Sequence, residues 1–246
     1  MNLKTTAILA ITGLGISAAQ SATISINMSD NGGGVTRATG STAGAVLAGN
    51  WNNIKRDGTA GNGTNLSNLI DDSGAASAVS LVQTGGTDGF YNAAAASGFS
   101  GTIGNGVMIG FGDTTTSKTF TFSNVNAGVG AVYDVYIYSA RRYNNTGISQ
   151  FDVNGQTLFI NNENVIGDYV ETGFTTKAGA ENNQNSGNYV KFSNVSLDTL
   201  TITLSGLDDT VSANGGDNIG AINGVQIVAV PEPSSTALLG LGGLAL

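Results

Sequence analysis

Apolar and polar residues alternate with a period of two in four short runs: Thr23-Ile24-Ser25-Ile26-Asn27, Lys118-Thr119-Phe120-Thr121-Phe122, Tyr189-Val190-Lys191-Phe192 and Leu200-Thr201-Ile202-Thr203-Leu204. Successive side chains of a strand point to opposite faces, so each run predicts a strand with one face buried and the other wet. Three denser apolar runs predict further strands: Val79-Ser80-Leu81-Val82, Val107-Met108-Ile109-Gly110-Phe111 and Ile222-Asn223-Gly224-Val225-Gln226-Ile227-Val228. In Phe151-Asp152-Val153-Asn154-Gly155-Gln156-Thr157-Leu158-Phe159-Ile160, an Asn-Gly pair separates two alternating runs. That combination specifies a two-residue hairpin turn. No stretch between residues 22 and 230 keeps a helical period of useful length. About nine to eleven strands, separated by clusters of Gly, Asn, Asp and Ser, predict one all-β domain over residues 22–230. The expected architecture is an antiparallel two-sheet β-sandwich of jelly-roll type. A β-helix or solenoid is the alternative fold, although no internal repeat of about 20 to 50 residues is visible.

The two ends read as addresses. Met1-Asn2-Leu3-Lys4 is followed by an apolar run over residues 7–16 and by the small residues Ser17-Ala18-Ala19-Gln20-Ser21-Ala22. A basic start, an apolar centre and a small-residue cleavage zone predict a secretory signal peptide over residues 1–21, cut after Ser21. At the other end, Val230-Pro231-Glu232-Pro233-Ser234-Ser235 precedes the apolar residues 237–246. Pro231-Glu232-Pro233, the Ser-Ser spacer and the glycine-containing apolar run follow the order of the PEP-CTERM sorting signal of exported bacterial proteins, which this end resembles. The resemblance implies recognition of Pro231, Glu232 and Pro233 by exosortase, a membrane peptidase, and delivery to the cell surface, often alongside exopolysaccharide. Proline fixes φ and biases the residue before it away from helix, which makes the motif a stiff extended epitope. A membrane span takes about 20 apolar residues. Residues 237–246 supply ten and lack the family's closing basic cluster, so the membrane segment is incomplete here; it is expected to continue beyond Leu246, the alternative being a defective anchor.

Composition narrows the chemistry. The chain has 246 residues, Gly 37, and only 11% charged residues, where globular domains carry roughly 25%. Cys 0 and His 0 remove disulfides, thiolate nucleophiles, histidine triads and the usual zinc ligands. A net charge of -8 disfavours nucleic acid and anionic bilayers as partners. Carboxylates are then the remaining conventional acid–base groups, and a glycan hydrolase or lyase would need two of them converging at roughly 5 to 10 Å. Asp71-Asp72 and Asp208-Asp209 are adjacent and so point apart in an extended chain. Turn chemistry is their simpler reading, since Asp commonly bonds its own backbone. Glu163, Asp168 and Glu171 are further carboxylates that could line a cleft.

Two kinds of binding remain open. The oxygen-rich run from Asp208 through Asn218, with Asp208, Asp209, Asp217 and Asn218, has the atoms that calcium takes, or it is a solvated polar loop. Sugar binding needs an aromatic face with amide, carboxylate or guanidinium groups beside it on loops at a sandwich rim. The candidates are Trp51 among Asn50, Asn52 and Asn53, Tyr91 after Asp88-Gly89-Phe90, and the loop Arg141-Arg142-Tyr143-Asn144-Asn145. Trp51 has a second reading as a core anchor. Its exposure separates a sugar module from a purely structural protein. In Tyr133-Asp134-Val135-Tyr136-Ile137-Tyr138-Ser139, Tyr136 and Tyr138 share a face with Asp134, opposite Tyr133 and Ile137, so one set is core and the other a possible platform. This aromatic strand, the following loop, the Asn-Gly hairpin and the closing strand resemble a galactose-binding or carbohydrate-module jelly roll. The expected function is therefore that of an exported, surface-sorted, non-catalytic protein that binds extracellular polysaccharide or forms part of the matrix. A structural or adhesive surface protein is the alternative.

Overall fold

The computed structural model describes residues 22–29, 42–55, 65–85, 87–91, 107–111, 117–139, 147–161, 168–211 and 220–231. In chain order these form β1 (Thr23–Ser29), β2 (Asn52–Lys55), β3 (Ser80–Gly85), β4 (Thr87–Tyr91), β5 (Val107–Phe111), β6 (Lys118–Ser123), α1 (Val125–Gly128), β7 (Tyr133–Tyr138), β8 (Gly147–Val153), β9 (Gln156–Ile160), α2 (Lys177–Glu181), β10 (Tyr189–Val195), β11 (Leu200–Asp208) and β12 (Gly224–Ala229). Each predicted strand is present. The two helices are of four and five residues, single turns between strands.

Ten strands make two five-stranded sheets, β10-β7-β12-β1-β2 and β3-β6-β11-β8-β9, and β4 pairs with β5 apart from them. Every ladder is antiparallel except β1 with β2. Four of the antiparallel pairs nest within one another: β8 with β9, β7 with β10, β6 with β11, and β1 with β12. The chain between β6 and β12 is thus one long hairpin wound across two sheets, with β1 closing it, which is the winding of a jelly roll. The architecture is an all-β sandwich, and the antiparallel pairing in facing sheets replaces the solenoid alternative.

The period-two pattern explains the layers. On β6 and β11 alternate residues are buried, and Phe120, Phe122, Leu200, Ile202 and Leu204 meet Ile24, Ile26, Val135, Ile137, Val190, Phe192, Val225 and Ile227 in one apolar cluster between the sheets. Fully burying a side chain of this size contributes about 1.5–3 kcal/mol, so this shared core holds the two sheets face to face. At the hairpin tip Asn154 has φ 50° and Gly155 φ 74°. Two successive positive φ values make a type I′ turn, whose twist matches that of the flanking strands. The chain enters and leaves by the same end of the first sheet: Ala229 N–H donates to the Ala22 carbonyl at 3.1 Å, and Val230 N–H to the Val132 carbonyl at 2.9 Å.

Candidate functional site

Alternation on β7 sends Tyr133, Val135 and Ile137 into the main core and leaves Asp134, Tyr136 and Tyr138 on the outer face of the first sheet. The antiparallel register sets Tyr189 of β10 opposite Tyr138 and Lys191 opposite Tyr136. An aromatic row results. Ring centroids lie 6.4 Å apart for Trp51 and Tyr138, 5.5 Å for Tyr138 and Tyr169, 5.8 Å for Tyr138 and Tyr189, and 5.8 Å for Tyr189 and Tyr136. All fall in the range in which tilted aromatic pairs attract.

The Trp51 end of the row is roofed by the loop 43–51. Ala43 and Ala48 close it with reciprocal backbone hydrogen bonds of 3.1 and 3.0 Å. Beneath it the buried Gln226 amide donates to Ser25 Oγ at 3.1 Å and to the Val46 carbonyl at 2.8 Å, and its oxygen accepts from the Tyr138 hydroxyl. The same hydroxyl accepts from Ala45 N–H at 2.7 Å. Burial pushes the Tyr138 phenol far above its ordinary range, which keeps it protonated as a donor. Trp51 is only 6% exposed, and its indole N–H donates to the Ala48 carbonyl at 3.1 Å. The ring is an internal pillar under the loop and presents no free face to a sugar. Its expected role as an exposed platform gives way to its role as a core anchor, because the loop that roofs it is seated on Tyr138 and Gln226, which are far away in sequence.

The other end of the row is open. Tyr136 is half-buried, and the Lys191 ammonium lies 5.2 Å from its ring centroid while pairing with Asp134 at 2.8 Å. The hydrogen bond that Lys191 donates to Asp134 holds the Lys191 pKa above its ordinary value. Beside Lys191 a groove of about 400 Å³ is lined by Leu158, Glu171, Thr172, Gly173 and Lys191. Its far wall is the segment 168–174, which stitches the edges of both sheets: Thr172 N–H donates to the Tyr189 carbonyl at 2.8 Å, and Phe159 and Phe174 exchange backbone hydrogen bonds of 2.8 and 3.0 Å. Open sheet edges are commonly covered in this way. Here the cover also brings the exposed Glu171 carboxylate to within 3.4 Å of the Tyr189 hydroxyl. Burial, and then the negative charge of Glu171, raise the Tyr189 pKa.

Most other described carboxylates hold local structure. Asp71 accepts from Ser73 N–H at 2.9 Å and Ala75 N–H at 3.0 Å, the expected turn, and Asp72 accepts from Thr23 N–H at 3.3 Å. Asp198 accepts from Asn126 N–H at 3.2 Å at the start of α1. Asp208 is half-buried, and Asp209 is buried, accepting from Asn161 at 2.8 Å, Gln184 at 2.7 Å and Val211 N–H at 3.0 Å. Donors therefore surround Asp209 where the calcium reading wants further oxygen ligands. Among the described residues no group of three or more acidic side chains is placed to hold a metal ion.

Of the remaining candidates, Tyr91 ends β4 and Pro231 is exposed just past β12. Arg141, Arg142, Tyr143, Asn144, Asp217, Asn218, Glu232 and Pro233 lie outside the described residues, as does the signal segment. The groove uses residues that spacing alone did not single out: Leu158, Thr172, Gly173 and Lys191. The available signal was the shared face of Asp134, Tyr136 and Tyr138. Comparison with protein-family models, curated proteins and solved structures finds no match to this chain.

Proposed function

We propose that this protein is exported and sorted to the cell surface, where it serves as a non-catalytic component of the extracellular matrix that binds polysaccharide. The signal-like start and the Pro231-Glu232-Pro233 end support export and sorting. The observation that carries binding is the half-exposed end of the aromatic row, where Tyr136, Lys191 and Glu171 flank an open groove at the sheet edge. Ligand sites combine apolar surface with a few fixed polar groups, and this place has both. Most described carboxylates other than Glu171 accept from nearby donors one by one, which supports holding a ligand over cleaving it. The burial of Trp51 favours a second reading, a structural or adhesive surface protein without a small ligand.

The test is retention of the full-length protein in affinity gels carrying neutral or acidic polysaccharides, with Tyr136→Ala and Lys191→Ala as variants. Retention that both variants weaken, with their thermal midpoints recorded alongside, supports binding at this face. No retention on any polysaccharide would leave the structural reading as the better account. For sorting, a Pro231→Ala, Pro233→Ala double variant is expected to lose surface delivery in cell fractionation.

A further inference from the structure

Resting on the polysaccharide-binding reading, we infer that the groove between β9 and β10 takes an uncharged hexosyl chain and turns away uronate polymers, with Glu171 accepting a sugar hydroxyl.

Gly173 is the first support. A Cβ there would make only ordinary contacts, 3.6 and 3.7 Å to the Leu158 methyls and 3.7 Å to Val190, and the backbone is not in the left-handed region. Neither a clash nor a backbone conformation demands glycine. Its effect is to leave the Leu158 floor bare, an apolar surface that suits the C–H face of a sugar ring.

Charge is the second support. The Lys191 ammonium is paired with Asp134 at 2.8 Å, so its charge is matched before any ligand arrives. The exposed Glu171 carboxylate takes one long hydrogen bond of 3.4 Å from Tyr189 and keeps acceptor capacity toward the groove. Asp134, Glu171 and Lys191 together leave one net negative charge at the groove, on a chain of net charge -8. A sugar carboxylate would meet like charge in a partly desolvated site, whereas a hydroxyl meets an acceptor.

Size is the third. A volume of about 400 Å³ is near the lower end of small-ligand pockets, roughly 300–1,000 Å³, so the groove holds a short stretch of chain. Tyr136, on the other side of Lys191, offers its half-exposed ring to the neighbouring unit.

The experiment compares affinity-gel retention of the full-length protein on soluble mixed-linkage glucan, galactomannan and polygalacturonate at low salt. Wild type is expected to be retained by at least one neutral polymer and to migrate freely through polygalacturonate. Gly173→Leu fills the groove and should weaken neutral binding about tenfold or more, an expected loss of at least one good contact set. Glu171→Gln, at an exposed position, should weaken it several-fold, and Glu171→Lys should gain retention on polygalacturonate. Thermal midpoints within a few degrees of wild type show that the variants are folded; if Gly173→Leu is not, the two Glu171 variants decide. Failure to bind any polymer overturns the binding reading itself. Neutral binding that survives both Gly173→Leu and Glu171→Gln, or polygalacturonate binding equal to neutral binding in wild type, leaves that reading standing and overturns this assignment of site and ligand.

Discussion

Gly44 stands directly over the side chain of Gln226: a Cβ at position 44 would lie 2.4 Å from the Gln226 amide oxygen, and the Gly44 φ is +102°. Gln226 has nowhere to retreat, since its amide is bonded to Ser25, Val46 and Tyr138. Gly44→Ala therefore combines a clash with backbone strain and should destabilise the protein by about 2–4 kcal/mol in urea unfolding. With the roof lifted, Trp51 fluorescence should shift to the red. A variant with wild-type stability and emission would show that the loop 43–51 does not seat on Gln226.

Alkaline pH should unfold the protein through its buried phenols. Burial pushes Tyr133 up to about 12 from 10.0, although its hydroxyl donates to the Leu197 carbonyl at 2.5 Å, and burial raises Tyr138 further. Folded-state values above the unfolded one mean that the stability is fully present below about pH 10 and is lost as pH rises toward 12. The loss for Tyr133 alone is on the order of 2 kcal/mol. Lys191, also raised, acts in the same direction. Urea midpoints of wild type and Tyr133→Phe from pH 8 to 12 check this; the variant should show the shallower decline, and parallel curves would refute the assignment.

The hairpin tip should govern folding speed. β8 and β9 are the innermost of the nested pairs, with Val153 opposite Gln156 across only Asn154 and Gly155, whereas Thr23 pairs with Val228. Closing a short loop costs the least entropy, so the tip is the natural place for pairing to begin. Gly155→Ala, forced into φ 74°, should cost about 1–2 kcal/mol. Stopped-flow refolding should place most of that in a slower folding rate; a change confined to unfolding would place pairing of the tip late.

Asp209→Ala should be among the more damaging single carboxylate changes. It strands the amide of the buried Asn161 and removes the partner of Gln184 and Val211. Hydrogen bonds to a charged group are worth about 1.5–3 kcal/mol each, and a drop of about 3 kcal/mol in urea unfolding is expected. Asp209→Asn keeps the shape but faces amide donors with an amide, so it should recover only part of the loss. Wild-type stability in the alanine variant would mean that these bonds do not form.

The strands were legible because local rules decide them. Ile24 and Ile26, or Phe120 and Phe122, alternate with polar neighbours, and Asn154-Gly155 is a turn whose geometry is built into two residues. The face of β7 was half legible: two alternatives could be written for its tyrosines, and only packing chose Tyr133 for the core. Trp51 was ambiguous for a different reason. Its burial depends on Tyr138 and Gln226, the latter 180 residues from its partner Val46, and no local pattern encodes such a contact. The groove was hidden for the same reason, since Glu171 and Lys191 meet only after the segment 168–174, which has no period of its own, is laid along the edge of β10.

The proposed anchoring has a mechanical side. The last described strand, β12, is flanked by β1 and β7, while the proposed ligand sits two strands away on β10. A tether drawn from Pro231 and a polymer pulling at Lys191 would load β12, β7 and β10 lengthwise in opposite directions. Antiparallel ladders strained in that sense share tension across all their hydrogen bonds at once, whereas peeling breaks them singly. The order β10-β7-β12 would thus let the domain resist shear through its sheet rather than through a covalent cross-link, in a chain that has no cysteine to make one.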